Sequence, residues 1–189
     1  MTTKKKYQAF HPDHEISVHF LLNMKNAINS ERFADLFEKA GLGDKQPDEW
    51  IPFQTFLDIL NELDAQGGAM LDFVAIGMNA ISQAIFPPEF TAMPFETQIA
   101  NLGLQYPYFN RGTNYGYIKD NLVKEGHMQY HILTPFPDDW WYGIFYGGAK
   151  RFLPAHLRFK VYYDKEKSRF EHGGDETIIH VEWWEKDGE

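Results

Sequence analysis

Apolar residues recur along this chain with two different periods, a helical one first and a strand-like one last. From Ile16 to Ile28 the stripe Ile16, Phe20, Met24, Ala27 and Ile28 falls at helical spacing, although Ser17–Leu22 also reads as a strand. Phe33, Leu36, Phe37 and Ala40 predict a second helix over Glu31–Ala40, with Asn29 or Ser30 as its cap and Gly41 as its stop. Asp48 is the candidate cap of a third helix, with Ile51-Pro52 near its first turn and Phe53, Phe56, Leu57 and Leu60 facing inward. Gln66-Gly67-Gly68 breaks the pattern, and a fourth helix follows from Met70 to Ile85. It ends at Phe86-Pro87-Pro88, because proline excludes the helical conformation from the residue before it. A short helix is expected over Pro94–Leu102. Gly103–Gly126 is tyrosine-rich and punctuated by glycine, and Asn114–Lys124 is compatible with a helix.

The period then changes. Met128, Tyr130 and Ile132 alternate with Gln129, His131 and Leu133, which predicts a strand. Asp138 or Asp139 caps a helix over Trp140–Leu153, and strands follow over Leu157–Tyr163 and Thr177–Trp184 around a charged loop carrying Gly173-Gly174. The fold class is α+β, with an N-terminal helical half followed by a small antiparallel sheet and one packed helix. The C-terminal order is strand–helix–strand–strand, the last two strands forming a hairpin. No linker or repeat interrupts the chain, so residues 1–189 read as one domain, with 1–10 disordered, 16–104 helical and 126–185 sheet-forming.

Composition narrows the function classes. The net charge of −9 repels phosphate backbones and anionic lipid, so neither nucleic acid nor membrane is an expected partner. The longest apolar zone, Met70–Phe86, is interrupted by Asp72, Asn79, Ser82 and Gln83, and reads as a buried helix in a cytoplasmic protein. With no cysteine there is no disulfide, thiolate nucleophile or Cys-based metal site.

Catalytic and metal motifs are absent from the pattern. Ser17, Ser30, Ser82 and Ser168 sit in no nucleophile elbow, and no phosphate-binding glycine loop is present. Among eight histidines, His11, His14 and His19 with Asp13 and Glu15 cluster most densely, yet lack the spacing of two helix ligands four apart. His127 and His131 would be about 13 Å apart on an extended strand, too far to share an ion. His172 and His180 flank the Gly-Gly turn. No catalytic or metal residue is assigned. An enzyme would need a polar cleft, for which His131, Tyr130 and Asp139 are the candidates.

The aromatic load is the stronger signal. Of the chain's 31 aromatic residues, 19 lie between Tyr106 and Trp184. On the Trp140 helix, Trp141, Phe145, Gly148, Ala149 and Phe152 share one face, while Gly143 and Gly147, four apart, offer another where a backbone can approach closely. Such rings either fill a core or line a pocket for a flat ligand. Trp183-Trp184 points to opposite faces of the last strand, so both faces should be covered: one could be the core and the other a dimer contact.

The element order, and especially Met128–Trp184, resembles the ligand-binding superfamily that joins haem-nitric-oxide/oxygen sensing domains, vinyl-reductase-like domains and TRAPP transport subunits. The residues that carry the resemblance are Tyr130, the stretch Trp141-Tyr142-Gly143-Ile144-Phe145-Tyr146-Gly147-Gly148-Ala149, and His172-Gly173-Gly174-Asp175-Glu176 before the final strand. Haem sensors of this superfamily carry a Tyr-x-Ser-x-Arg motif and an axial histidine ahead of the sheet. Here the motif position reads Tyr130-His131-Ile132-Leu133-Thr134, and no histidine lies between His19 and His127. The resemblance therefore implies a fold and a cavity without haem, and no cofactor is expected. The leading expectation is a non-catalytic sensor binding an apolar or flat small molecule between the helical half and the sheet. Tyr130, Trp141, Tyr142 and Phe145 would supply wall area and Tyr117 a polar contact. The alternative is a structural protein that uses its aromatic surface for a homodimer or a signalling partner.

Overall fold

A computed structural model describes residues 5–28, 31–65 and 73–186. In chain order the elements are β1 (Glu15–Ser17), α1 (Val18–Ala27), α2 (Glu31–Lys39), β2 (Trp50–Pro52), α3 (Phe53–Ala65) and α4 (Phe73–Gln83). Next come the short helices α5 (Pro88–Thr91), α6 (Phe95–Asn101) and α7 (Tyr106–Phe109), then β3 (Asn110–Arg111), β4 (Tyr117–Lys124) and β5 (His127–Leu133). The chain closes with α8 (Asp138–Phe152), β6 (Leu157–Tyr163) and β7 (Thr177–Glu185). The fold is α+β, helix-rich at first and ending in a sheet with a packed helix. None of the described helices is long and apolar enough to cross a membrane.

The chain divides into two compact units. The first comprises Met1–Asp72, Pro107–Gly116 and Thr134–Pro137. Phe33 and Phe37 of α2 and Phe53, Phe56 and Leu57 of α3 form its fully buried heart. A three-stranded sheet of order β2-β1-β3 supports it, with Ile16 opposite Ile51 and Asn110. Residues 50–52, expected in the first turn of a helix capped by Asp48, are instead spent on this pairing. The helix begins at Phe53, whose N–H donates to the His14 carbonyl (2.8 Å). Residues 5–10, expected to be disordered, lie along α3. The Tyr7 N–H donates to Asn61 Oδ1 (2.8 Å), the Ala9 N–H donates to Gln54 Oε1 (2.9 Å), and the Tyr7 side chain is buried. Gly41 ends α2 at φ 71°, the left-handed position that spares a side chain. The Asn29/Ser30 cap and the Gln66-Gly67-Gly68 break lie outside the described residues.

The second unit comprises Phe73–Tyr106, Tyr117–Leu133 and Asp138–Glu189. Its four-stranded antiparallel sheet has the order β4-β5-β7-β6. The expected strand–helix–hairpin is present and gains an edge strand, because Tyr117–Lys124, considered above as helix, pairs with β5. Ile118 and Tyr117 are β-prone, and Gly126 at φ 76° closes the hairpin. On β5 and β7 the residues Met128, Tyr130, Ile132, Ile179 and Val181 are buried on one face, and Tyr130 stacks there on Phe145 of α8.

Candidate functional site

All five residues singled out from the sequence lie in the second unit, but they do not form one group. Tyr130, Phe145 and Trp141 come together. The Tyr130 and Phe145 rings stack with centroids 3.9 Å apart and planes 22° apart, and both side chains are fully buried. Trp141 meets the edge of Tyr106 at 5.7 Å and lies 6.5 Å from Phe145. The Tyr130 hydroxyl donates to the Ile99 carbonyl at the end of α6 (2.8 Å). Burial pushes that phenol well above its ordinary pKa, so it stays neutral. Tyr142, one position round the helix, turns toward β6. It donates to the Val161 carbonyl (2.9 Å) and packs against Tyr163 (5.2 Å). Tyr117 stands apart on β4, where its hydroxyl donates to Glu176 Oε2 (2.9 Å).

Glycine determines how closely α8 is approached. A Cβ on Gly143 would sit 2.2 Å from the Val74 carbonyl oxygen, and one on Gly77 would sit 2.3 Å from the Trp140 carbonyl oxygen. A Cβ on Gly147 would sit 2.4 Å from Ile81 Cγ2 and 3.0 Å from Met78 Cα, also on α4. The two glycines four apart thus admit the backbone of α4, and the aromatic stripe is left to face the sheet and α6. Arg151 completes this packing by donating to the Ile81 (2.6 Å), Ser82 (3.2 Å) and Ala84 (2.8 Å) carbonyls at the end of α4.

Two polar clusters were not anticipated. At the start of α8, Asp138 is 3% exposed, and its carboxylate accepts from Thr177 Oγ1 (2.6 Å) and the Glu171 N–H (3.2 Å). Asp138 therefore fastens the 164–176 loop and β7 to the helix, where a simple cap was expected. Burial raises its pKa, partly countered by the Thr177 bond. Beside it, Asp139 accepts from Tyr163 (2.6 Å) and Arg169 (2.7 Å). On the sheet face away from α8, His131 Nδ1 lies 2.6 Å from Glu176 Oε1, and His127 Nε2 lies 2.8 Å from His180 Nδ1. His127 and His180 are 53 residues apart on strands that sequence spacing could not pair. Their only signal was that each occupies an outward position of an alternating strand. In the first unit, His14 is 1% exposed and bonded through Nε2 to Asn110 Oδ1 (2.9 Å), and burial depresses its pKa. Among the described residues no group of three or more His, Asp or Glu is placed to hold a metal ion.

No protein-family model and no curated protein matches this chain. Solved structures do. An H-NOX protein from S. oneidensis in its Fe(II)NO state superposes with TM-score 0.65 at 10% identity, over 89% of this chain and 99% of that one. A mutant of the T. Tengcongensis H-NOX gives 0.64 at 13% identity, over 88% and 96%. A structure from work on haem redox potential and porphyrin distortion gives 0.63 at 11%, over 87% and 96%. This chain has the H-NOX fold. At such identities the likeness establishes the architecture alone.

Haem is named for the last of these neighbours and is a property of that protein. Tyr130 is the residue likened from the sequence to the tyrosine of the haem sensors' motif. Its hydroxyl is already committed to the Ile99 carbonyl and its ring lies flat on Phe145, leaving no donor to aim at a propionate. Ile132 and Thr134, likened from the sequence to the serine and arginine of that motif, are both buried.

Proposed function

We propose that this chain is a non-catalytic sensor or small-molecule-binding domain on an H-NOX fold, with an apolar or flat ligand that is not haem. The observation that carries the reading is Tyr130. The fold is kept, while the residue that would anchor haem has been turned into an internal strut between β5 and α6. Trp141, with Tyr130 and Phe145 behind it, supplies aromatic wall area. Binding to the folded state alone stabilises it by mass action, and a partner reads out that shift. Neither nucleic acid nor a membrane is part of this reading.

One observation favours a second reading, a protein that uses its aromatics for partner contacts. Tyr130 and Phe145 touch at stacking distance, so a ligand could enter between them only by parting them, whereas Trp184 near the end of β7 is 45% exposed. Two measurements on the purified protein separate the readings. Expressed with excess haem precursor it should show no Soret band. Titrated with the apolar dye ANS it should bind saturably, and Trp141→Ala should weaken binding about fivefold, the worth of one aromatic contact. A Soret band refutes the haem-free reading. Uptake of ANS unchanged in W141A refutes the wall, and a stable dimer lost in Trp184→Ser then favours the second reading.

A further inference from the structure

The histidines on the outer face of the sheet have a geometry that the binding reading does not use. Tyr130 and Ile179 are opposite each other in register and face α8, so His180 and His127, at odd offsets from them, project from the other face. Both are nonetheless buried, at 7% and 9% exposed. His127 Nε2 and His180 Nδ1 are 2.8 Å apart. A hydrogen bond between two imidazole nitrogens requires that one of them carry no proton. The remaining nitrogens both look at carboxylates. His180 Nε2 lies 3.0 Å from Asp164 Oδ2, and His127 Nδ1 lies 3.8 Å from Glu182 Oε1. Tyr162 of β6 stacks on His180 (4.8 Å, 8°) and donates to Glu182 Oε1 (2.6 Å). The other charges acting on the cluster are Lys124 at the end of β4, which opposes a proton on His127, and Lys160 of β6, which favours ionised Glu182.

The proton inventory follows from these contacts. With no extra proton, His127 donates to neutral His180, and His180 donates to Asp164. With one, the ring that holds it still donates to the bare nitrogen of the other, so the bond between the rings survives. A second proton sets N–H against N–H at 2.8 Å, and the bond cannot be kept. We propose that His127 and His180 form a proton-sharing lock between β5 and β7 that tolerates one added proton and opens on the second. Burial already opposes charge on His127, and a charged His180 opposes it further. The consequence of opening is local. His127 swings toward Glu182 in competition with Tyr162, and the strand end that it covers loosens. At that end the Trp183 N–H donates to the Gly126 carbonyl (2.9 Å).

The test is an imidazole nitrogen NMR titration of the intact chain between about pH 8 and pH 4.5, with amide exchange read alongside. The two rings should titrate in separated steps, and protection of the Trp183 amide should fall about tenfold across the second step, the factor carried by one pH unit. In His180→Phe, which keeps a ring against Tyr162, the His127 midpoint should rise by about one pH unit. His127→Gln keeps a donor toward His180 and removes the second titration, so the acid loosening at Trp183 should vanish in a folded protein. Independent single midpoints, an unmoved His127 in H180F, or acid loosening that persists in H127Q would each overturn the lock.

Discussion

Replacing Gly143 by alanine probes the helix contact on which the second unit depends. The new methyl carbon would lie 2.2 Å from the Val74 carbonyl oxygen and 3.0 Å from Val74 C and Cα. Ordinary contact begins near 3.4 Å, so the axes of α4 and α8 must part by roughly 1 Å. Forcing one extra carbon into a packed contact costs about 1–3 kcal/mol. Alanine returns about 1 kcal/mol of helix propensity. Because the obstacle is backbone and cannot rotate away, the upper part of the packing range applies, and the net loss is about 2 kcal/mol. For a chain of this length that lowers the midpoint of thermal unfolding by about 4–8 °C. Gly148→Ala is the internal control. Its methyl would meet Leu102 Cδ1 at 2.4 Å, the end of a side chain that can turn, so its net effect should be near zero. Thermal melts followed by circular dichroism read both variants. If G143A melts at or above the parent protein while G148A falls, the close backbone crossing is not what holds α8.

Three further outcomes are expected. Tyr130→Phe should cost about 1 kcal/mol, the net worth of one hydrogen bond to the Ile99 carbonyl, and should leave the visible absorption spectrum unchanged. Arg151→Ala, measured by urea unfolding, should cost about 1 kcal/mol by releasing the carbonyls at the end of α4, and exchange should quicken first at Ala84, whose N–H belongs to that last turn. Stability should fall on acidification from about pH 7 to pH 5. Burial depresses the pKa of His14, so the unfolded chain takes up its proton first, near the ordinary value of 6.5, and gains over the folded state as pH drops further. The slope is at most about 1.4 kcal/mol per pH unit for this group, and His14→Gln should flatten it in a denaturation series across that range.

Much of the architecture was legible because period and punctuation agreed. Phe33, Leu36 and Phe37 are buried on one stripe of α2, Gly41 stops that helix, and the alternation over residues 128–133 gives β5 with its buried face as read. What was not legible depended on pairing at a distance. Trp50–Pro52 reads as a helix start until β1 is placed beside it, and Tyr117–Lys124 is a poor amphipathic strand that becomes one by bonding to β5. The candidate site was partly legible. The Gly143 and Gly147 pair signalled a close backbone approach, which the positions of Val74 and Met78 bear out. The aromatic set shares a helix in sequence but divides across it in space, since Phe145 turns to Tyr130 and Tyr142 to Val161. The histidine pair and the Asp138 fastening join residues 53 and 39 positions apart, which no local spacing encodes.

The proposal that this fold binds a small molecule other than haem is tested by native mass spectrometry of the purified chain against a denatured sample. The native mass should exceed that of the 22.1 kDa chain by one small organic molecule, released on denaturation and lighter than haem. A native mass equal to the bare chain or its whole-number multiple, or an adduct with the mass of haem, would contradict it.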